Sequence, residues 1–118
     1  MYKIPESLDI NKFKGKTLSQ IAFGLNYILL MFDNCSIQFS GQFLFKFEGQ
    51  EFEREEVYPV NSDFKLLNLL EEKIESIYCN QERTTLIIYF TKDSFLSLKS
   101  NEMYESFELN VEGERVIV

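Results

Sequence analysis

Residues 35–47 read CSIQFSGQFLFKF, and this stretch decides the fold class. Ile37, Phe39, Phe43, Phe45 and Phe47 all fall at odd positions, whereas Gln38, Ser40, Gln42 and Lys46 fall at even positions. A period of two is typical of a β-strand with one buried face and one solvated face. We therefore predict a strand over residues 37–47 with a bulge or bend at Gly41. Aromatic residues at this spacing form core far more often than they line a ligand pocket, so we assign them to the core.

Seven further segments have the β-branched and aromatic composition of strands. Turn residues separate them, at Asp33 and Asn34, at residues 80–83, at residues 92–93 and around Gly113. The predicted strands are residues 17–24, 27–32, 74–79, 85–90, 95–98, 104–111 and 115–118. With residues 37–47 they give about eight strands, which we expect to form a mainly antiparallel sheet.

The middle of the chain predicts one short helix. Pro59 ends regular structure, and Asn61 and Ser62 are suitable N-cap residues. Behind this cap, leucines recur at helical spacing over about ten residues, at Leu66, Leu67, Leu69 and Leu70. Strands with a central helix place the chain in the α+β class.

The sequence contains an internal repeat. Its first match, at a spacing of 56, aligns Leu18, Ile21 and Phe23 with Ile74, Ile77 and Cys79. The strand ending at Phe32 also matches the strand ending at Phe90, at a spacing of 58. We predict two meander halves, each consisting of three strands joined by turns. No linker-like composition separates the halves, so we expect one domain, residues 1–118, and the sequence leaves open whether the halves arose by duplication.

The net charge of the chain disfavours some classes of binding partner. Twelve Lys and Arg residues against nineteen Asp and Glu residues give a net charge of -7, which repels nucleic acid and anionic membranes. No apolar run approaches the roughly 20 residues that span a bilayer, and the amino terminus lacks a signal-peptide core. We therefore expect a cytoplasmic protein, with Cys35 and Cys79 as buried free thiols.

Few residues offer catalytic chemistry. Histidine is absent, which removes the commonest general base and metal ligand, and two cysteines are too few for a structural zinc site. The five glycines form no phosphate-binding motif, so we expect no cofactor. Ser62 and Lys65 have a Ser-x-x-Lys spacing, but Ser62 is better explained as a helix cap. We predict that the protein is not an enzyme; a pair of catalytic carboxylates is the alternative that the sequence leaves open.

The candidate site is an acidic segment: Glu48, Glu51, Glu53, Glu55, Glu56 and the neighbouring Tyr58. Alternate glutamates on an extended segment either form a solvated edge that prevents aggregation or dock a basic surface. Other tyrosines, at positions 78, 89 and 104, are candidate hydrogen-bond donors at an interface. We predict a non-catalytic protein that binds a basic protein partner through this segment and nearby exposed aromatic residues. The alternatives are a small-molecule site between the sheet and the Leu66 to Leu70 helix, and a homodimer through exposed sheet edges.

Two stretches carry a resemblance to known proteins: Phe32-Asp33-Asn34, and Tyr104-Glu105-Ser106-Phe107 leading to Val116-Ile117-Val118. The tail resembles the Tyr-Glu-Ser-Phe/Tyr signature of a family of small bacterial proteins of unknown function, and the order of elements is similar too. The chain departs from that family at Asn34-Cys35, where a glycine-bearing turn is usual. The resemblance implies a bacterial cytoplasmic protein and assigns no site. In size and acidity the chain is also similar to immunity proteins of bacterial toxin systems, which implies a basic toxin as partner.

Overall fold

The chain folds into antiparallel β-sheet. The computed structural model describes residues 4–6, 8–24, 27–40, 42–47, 50–54, 69–91, 93–100 and 107–117. A 3-10 helix at Ile10–Phe13 precedes the strands, which are β1 (Gln20–Phe23), β2 (Ile28–Phe32), β3 (Cys35–Phe39), β4 (Gln42–Phe47), β5 (Gln50–Arg54), β6 (Ile74–Cys79), β7 (Thr85–Phe90), β8 (Ser94–Lys99), β9 (Phe107–Val111) and β10 (Glu114–Ile117). All pairings between these strands are antiparallel.

The strands form two five-stranded sheets that exchange hairpins. The first sheet has the order β1-β2-β3-β9-β10 and the second the order β5-β4-β8-β7-β6. Each sheet thus consists of a three-stranded meander from one half of the chain and a hairpin from the other half. This confirms the prediction of two meander halves and adds that each half contributes strands to both sheets.

One core lies against the inner faces of both sheets. Alternate residues of β2 and β3 are buried from the first sheet, and alternate residues of β7 and β8 from the second, all in a single hydrophobic cluster. Phe39, Phe43 and Phe45 are buried in this cluster, as their spacing predicts. The rings of Phe39 and Phe43 pack edge to face, with their centroids 5.6 Å apart, at the point where the chain passes from one sheet to the other.

The two halves meet about a pseudo-twofold axis between residues 15–18 and 71–74. The amides of Leu18 and Ile74 donate to the carbonyls of Glu72 and Lys16, each at 2.9 Å. A second matched pair, each at 2.8 Å, runs from Gly15 N–H to Ile74 and from Glu71 N–H to Leu18. Gly15 and Glu71 both have positive φ, at 84° and 73°. The spacing of 56 seen in the sequence therefore corresponds to equivalent backbone positions.

The registers of the two meanders are also equivalent. Tyr78 lies opposite Ile87 as Ala22 lies opposite Leu29. Tyr89 lies opposite Phe95 as Met31 lies opposite Ser36. The same relation holds for the exchanged hairpins, because Phe43 lies opposite Leu98 and Phe107 lies opposite Phe39. A residue in one half can therefore be compared directly with its equivalent in the other.

The exchanged hairpins share a sequence pattern that the repeat analysis missed. Residues 43–54 read FLFKFEGQEFER and residues 107–118 read FELNVEGERVIV, at a constant spacing of 64. Both contain an aromatic or aliphatic residue at every second position before a Glu-Gly pair. The second pair, Glu112 and Gly113, forms the β9–β10 turn with φ values of 50° and 95°, which suits glycine at the latter position.

The described residues form ten strands, where the sequence predicts about eight. The predicted strand over residues 37–47 is two strands in different sheets, β3 and β4. The prediction missed this division because inward positions stay odd in both sheets, so the alternation continues across it. The other additional strand is β5, which is formed by the acidic segment.

The predicted helix falls largely outside the described residues, which resume at Leu69 in a 3-10 turn. Leu69 is fully buried and Leu70 is exposed. The mainly antiparallel sheet is thus shown, while the α+β class stays a prediction. The 3-10 helix at Ile10–Phe13, which the sequence analysis did not predict, ends at Phe13, the equivalent of Leu69. Among the described residues, no helix has the length and apolar character needed to cross a membrane.

Candidate binding surface

Three ring side chains form a cluster on the outer face of the second sheet, the face turned away from the core. Tyr78 and Tyr89 are 56% and 42% exposed, and Phe95 is half-buried. The Tyr78 and Tyr89 rings pack edge to face at 5.9 Å, and Tyr89 packs against Phe95 at the same centroid distance. We call these three residues the aromatic cluster. Cross-strand neighbours on one face of a sheet contact one another, so the register of β6, β7 and β8 builds this cluster.

The fold itself does not require these rings. The equivalent positions in the first half are Ala22, Met31 and Ser36. Those smaller side chains occupy the same backbone register in the first sheet, while the inner faces of both sheets stay apolar. Exposed aromatic residues on a face that an equivalent sheet builds without them are typical of an interaction surface.

Charged positions adjoin the aromatic cluster on the β4 side. Lys46 of β4 lies opposite Phe95, and its ammonium is 3.8 Å from the Asp93 carboxylate. The next strand, β5, is at the edge of the sheet, with Glu51 opposite Lys46 and Glu53 opposite Leu44. A five-stranded sheet is about 19 Å wide at the usual strand spacing, so the acidic strand and the cluster lie within the footprint of one protein partner.

At the opposite edge, Arg83 holds the amino-terminal segment against β6. Its Nε and Nη2 atoms donate to the carbonyls of Ile4 and Pro5, at 2.5 and 2.8 Å. The Ile4 amide donates in return to the Arg83 carbonyl at 2.8 Å. Asn80 fixes the loop, because its Oδ1 atom accepts from the amides of Thr84 and Thr85. The positive φ of Arg83, 60°, belongs to this loop geometry.

The space between this segment and β6 is a groove of about 570 Å³. Buried Leu8 and Ile77 belong to its lining, and exposed Glu6, Asp9 and Tyr78 contribute polar atoms. Asp9 is also the N-cap of the 3-10 helix, where its carboxylate accepts from the Asn11 amide at 3.1 Å. Tyr78 belongs to both the groove and the aromatic cluster, so the two features form one continuous surface.

The two cysteines are free thiols, as predicted. Cys35 is buried in the core, whereas Cys79 is half-buried and lines the groove. Burial raises the pKa of Cys79 above its ordinary value of 9.0, an effect that the nearby positive charge of Arg83 partly opposes. Cys79 therefore presents a neutral thiol to the groove at physiological pH.

The structure describes only part of the predicted acidic site. Glu51 and Glu53 lie on edge strand β5, while Glu48, Glu55, Glu56 and Tyr58 fall outside the described residues. The Ser62 and Lys65 pair and residues 104–106 of the tail signature also fall outside them. Sequence analysis named Tyr78 and Tyr89 as interface candidates but missed Phe95 and the groove. Phe95 alternates with Leu96 at an outward position, which was the available signal.

The described residues contain no group of three His, Cys, Asp or Glu side chains that could hold a metal ion. Comparison with known proteins gave no matching family model, no matching curated protein and no matching solved structure. What the protein binds must therefore be inferred from its own surface.

Proposed function

We propose that this protein is a non-catalytic binding protein that recognises a basic protein partner through the outer face of its second sheet. The observation that carries the proposal is the aromatic cluster, which occurs at positions where the equivalent sheet has Ala22, Met31 and Ser36. Aromatic residues are enriched at the centres of protein interfaces, where they bury large apolar area.

The charge of the chain supports a basic partner. Its net charge is -7, and the register positions of Glu51 and Glu53 adjoin the outer face. Carboxylates around an apolar centre steer a basic protein toward the face and raise its association rate at low salt. An immunity-type role, in a bacterial cytoplasm, is the biological setting that fits an acidic protein with a basic target. The short central helix, and with it the α+β class, is kept as part of this proposal.

A salt-dependent capture experiment tests the charge component. Tagged protein is incubated at low salt with lysate of its source organism and eluted with a salt gradient. The Glu51→Gln/Glu53→Gln variant should bind the captured basic protein with a several-fold slower association rate at low salt, because steering depends on these charges.

The matched control is Asp33→Asn/Glu71→Gln, which removes the same charge from exposed positions outside the second sheet. This control should slow association less than Glu51→Gln/Glu53→Gln does, because charges close to the binding surface contribute most to steering. Equal slowing by both variants would show that net charge alone matters, and equal rates in all three proteins would remove β5 from the binding surface.

The groove favours a second candidate function, the binding of a small molecule. Its volume of about 570 Å³ is within the range of ligand sites, and it lies beside β6, whereas the site predicted against the Leu66 to Leu70 helix falls largely outside the described residues. A compound that raises the unfolding temperature of the wild type, but not of a Tyr78→Ala variant, would favour this function.

A further inference from the structure

We propose that the groove between β6 and the segment that contains Glu6 and residues 8–11 receives a cationic side chain, arginine or lysine, from the protein partner. This inference rests on the proposed function and names the chemistry by which the partner is anchored. In this groove an apolar floor, two acidic residues and the exposed Tyr78 occur together.

The floor suits the aliphatic stem of a long side chain. Leu8 and Ile77 are 3% and 4% exposed, and Ile10 is half-buried beside them. The neutral thiol of Cys79 adds no charge at physiological pH, because burial raises its pKa. Lysine and arginine stems bury readily along such apolar surface while their charged ends stay near water.

The rim suits the charged end. Glu6 and Asp9 are exposed residues of the groove lining, and the exposed Tyr78 lines it as well. A cation near such a ring gains a favourable interaction with the π-electrons, and a carboxylate pair adds charge-assisted hydrogen bonds.

Arg83 is the one cation of the lining, and its geometry still favours a cationic guest over an anionic one. Two of its donor atoms, Nε and Nη2, are engaged by the carbonyls of Ile4 and Pro5. Its charge is outnumbered by the two carboxylates of the lining, and the whole chain is acidic. An anion would be repelled by this negative potential. It would also lack the pair of N–H donors, Nε and Nη2, with which an arginine side chain can bind an anion.

The first half of the chain builds the corresponding edge differently. Its equivalent loop, between β1 and β2, is one residue shorter than the loop of Arg83. There the Tyr27 ring covers Gly24, at 1.9 Å from the position that an added Cβ would take. Cluster and groove thus occur together, on the second sheet.

The test uses isotope-labelled full-length protein and the peptide acetyl-Gly-Arg-Gly-amide at low salt, followed by NMR. The amide signals of Asp9, Tyr78 and Cys79 should shift and saturate. The citrulline peptide, which has the same shape without the charge, should bind at least fivefold more weakly. Signals that do not saturate, or equal affinity for both peptides, would overturn the proposal.

Two double variants test whether the arginine peptide binds at the groove. Glu6→Gln/Asp9→Asn should weaken the arginine peptide at least fivefold, and Asn at position 9 keeps a side chain that can cap the 3-10 helix. The control Asp33→Asn/Glu71→Gln removes the same charge elsewhere and should change the affinity by less than twofold. Equal weakening by both variants would overturn a groove-specific site.

The affinity of the variants for the captured partner distinguishes failure of the groove proposal from failure of the proposed function. If Glu6→Gln/Asp9→Asn binds the captured partner as tightly as wild type while loss of the aromatic cluster abolishes capture, the groove proposal fails and the proposed function stands. If neither change affects capture, both fail. At least a fivefold loss of partner affinity in Glu6→Gln/Asp9→Asn supports both.

Discussion

The outer faces of the two sheets differ at three positions that the strand registers make equivalent. The first sheet has Ala22, Met31 and Ser36 where the second has Tyr78, Tyr89 and Phe95. The inner faces, by contrast, are alike in both sheets, with buried apolar side chains at alternate positions. The buried apolar residues that both halves share are what the fold needs. The three aromatic residues occur at these outer positions in the second sheet alone, so they are explained by something other than folding.

Substitutions in the core that both halves share should have the largest effect on stability. Leu30 and Ile88 are equivalent core residues, and both are fully buried. Leu30→Ala and Ile88→Ala should each lower the free energy of unfolding by about 2–5 kcal/mol, because each leaves a cavity in the common core. Urea unfolding measures both, and a neutral effect at either position would show that the halves do not contribute equally to the core.

Substitutions at the two equivalent positions beside the pseudo-twofold axis should have smaller effects on stability, of opposite sign. Gly15→Ala should destabilise the protein by roughly 1 kcal/mol, since a side chain is unfavourable at φ 84° even though an added Cβ meets no atom within 4 Å. Glu71→Gly, at the equivalent position with φ 73°, should be stabilising by up to about 1 kcal/mol. Thermal unfolding compares the two variants, and a change of the same sign in both would contradict their equivalence.

The sequence predicted the second meander well. The bounds of β6 and β7 are those predicted, and β8 is one residue longer at each end. These strands are β-branched and aromatic runs bounded by polar turns, so local pattern and tertiary structure agree. The hairpin β9–β10 was likewise predicted from Gly113 and its flanking residues.

Other features depend on contacts between distant residues. The strand division near residue 40 leaves no trace in the alternation, and β5 was obscured by its glutamates, although the match at a spacing of 64 would have revealed it. The groove requires Arg83 to bind the carbonyls of Ile4 and Pro5, nearly eighty positions away. No local pattern encodes that contact. The charge and the missing histidines limited the function class, but only the comparison of equivalent positions identified the aromatic cluster.

The variant Tyr78→Ala/Tyr89→Met/Phe95→Ser gives the second sheet the outer-face residues of the first. We expect it to fold, with a cooperative unfolding transition, because the same residues already occupy equivalent positions in the first sheet. The control Leu29→Ala/Met31→Ala removes half-buried apolar side chains from the outer face of the first sheet.

The most direct measurement compares partner affinity for wild type, this triple variant and the control, using the basic protein captured at low salt. The triple variant should lose at least a hundredfold in affinity while the control stays within about threefold, since interface energy concentrates in a few aromatic residues. A folded triple variant that binds the partner as tightly as wild type would contradict the claim that the second sheet's outer face is the binding surface.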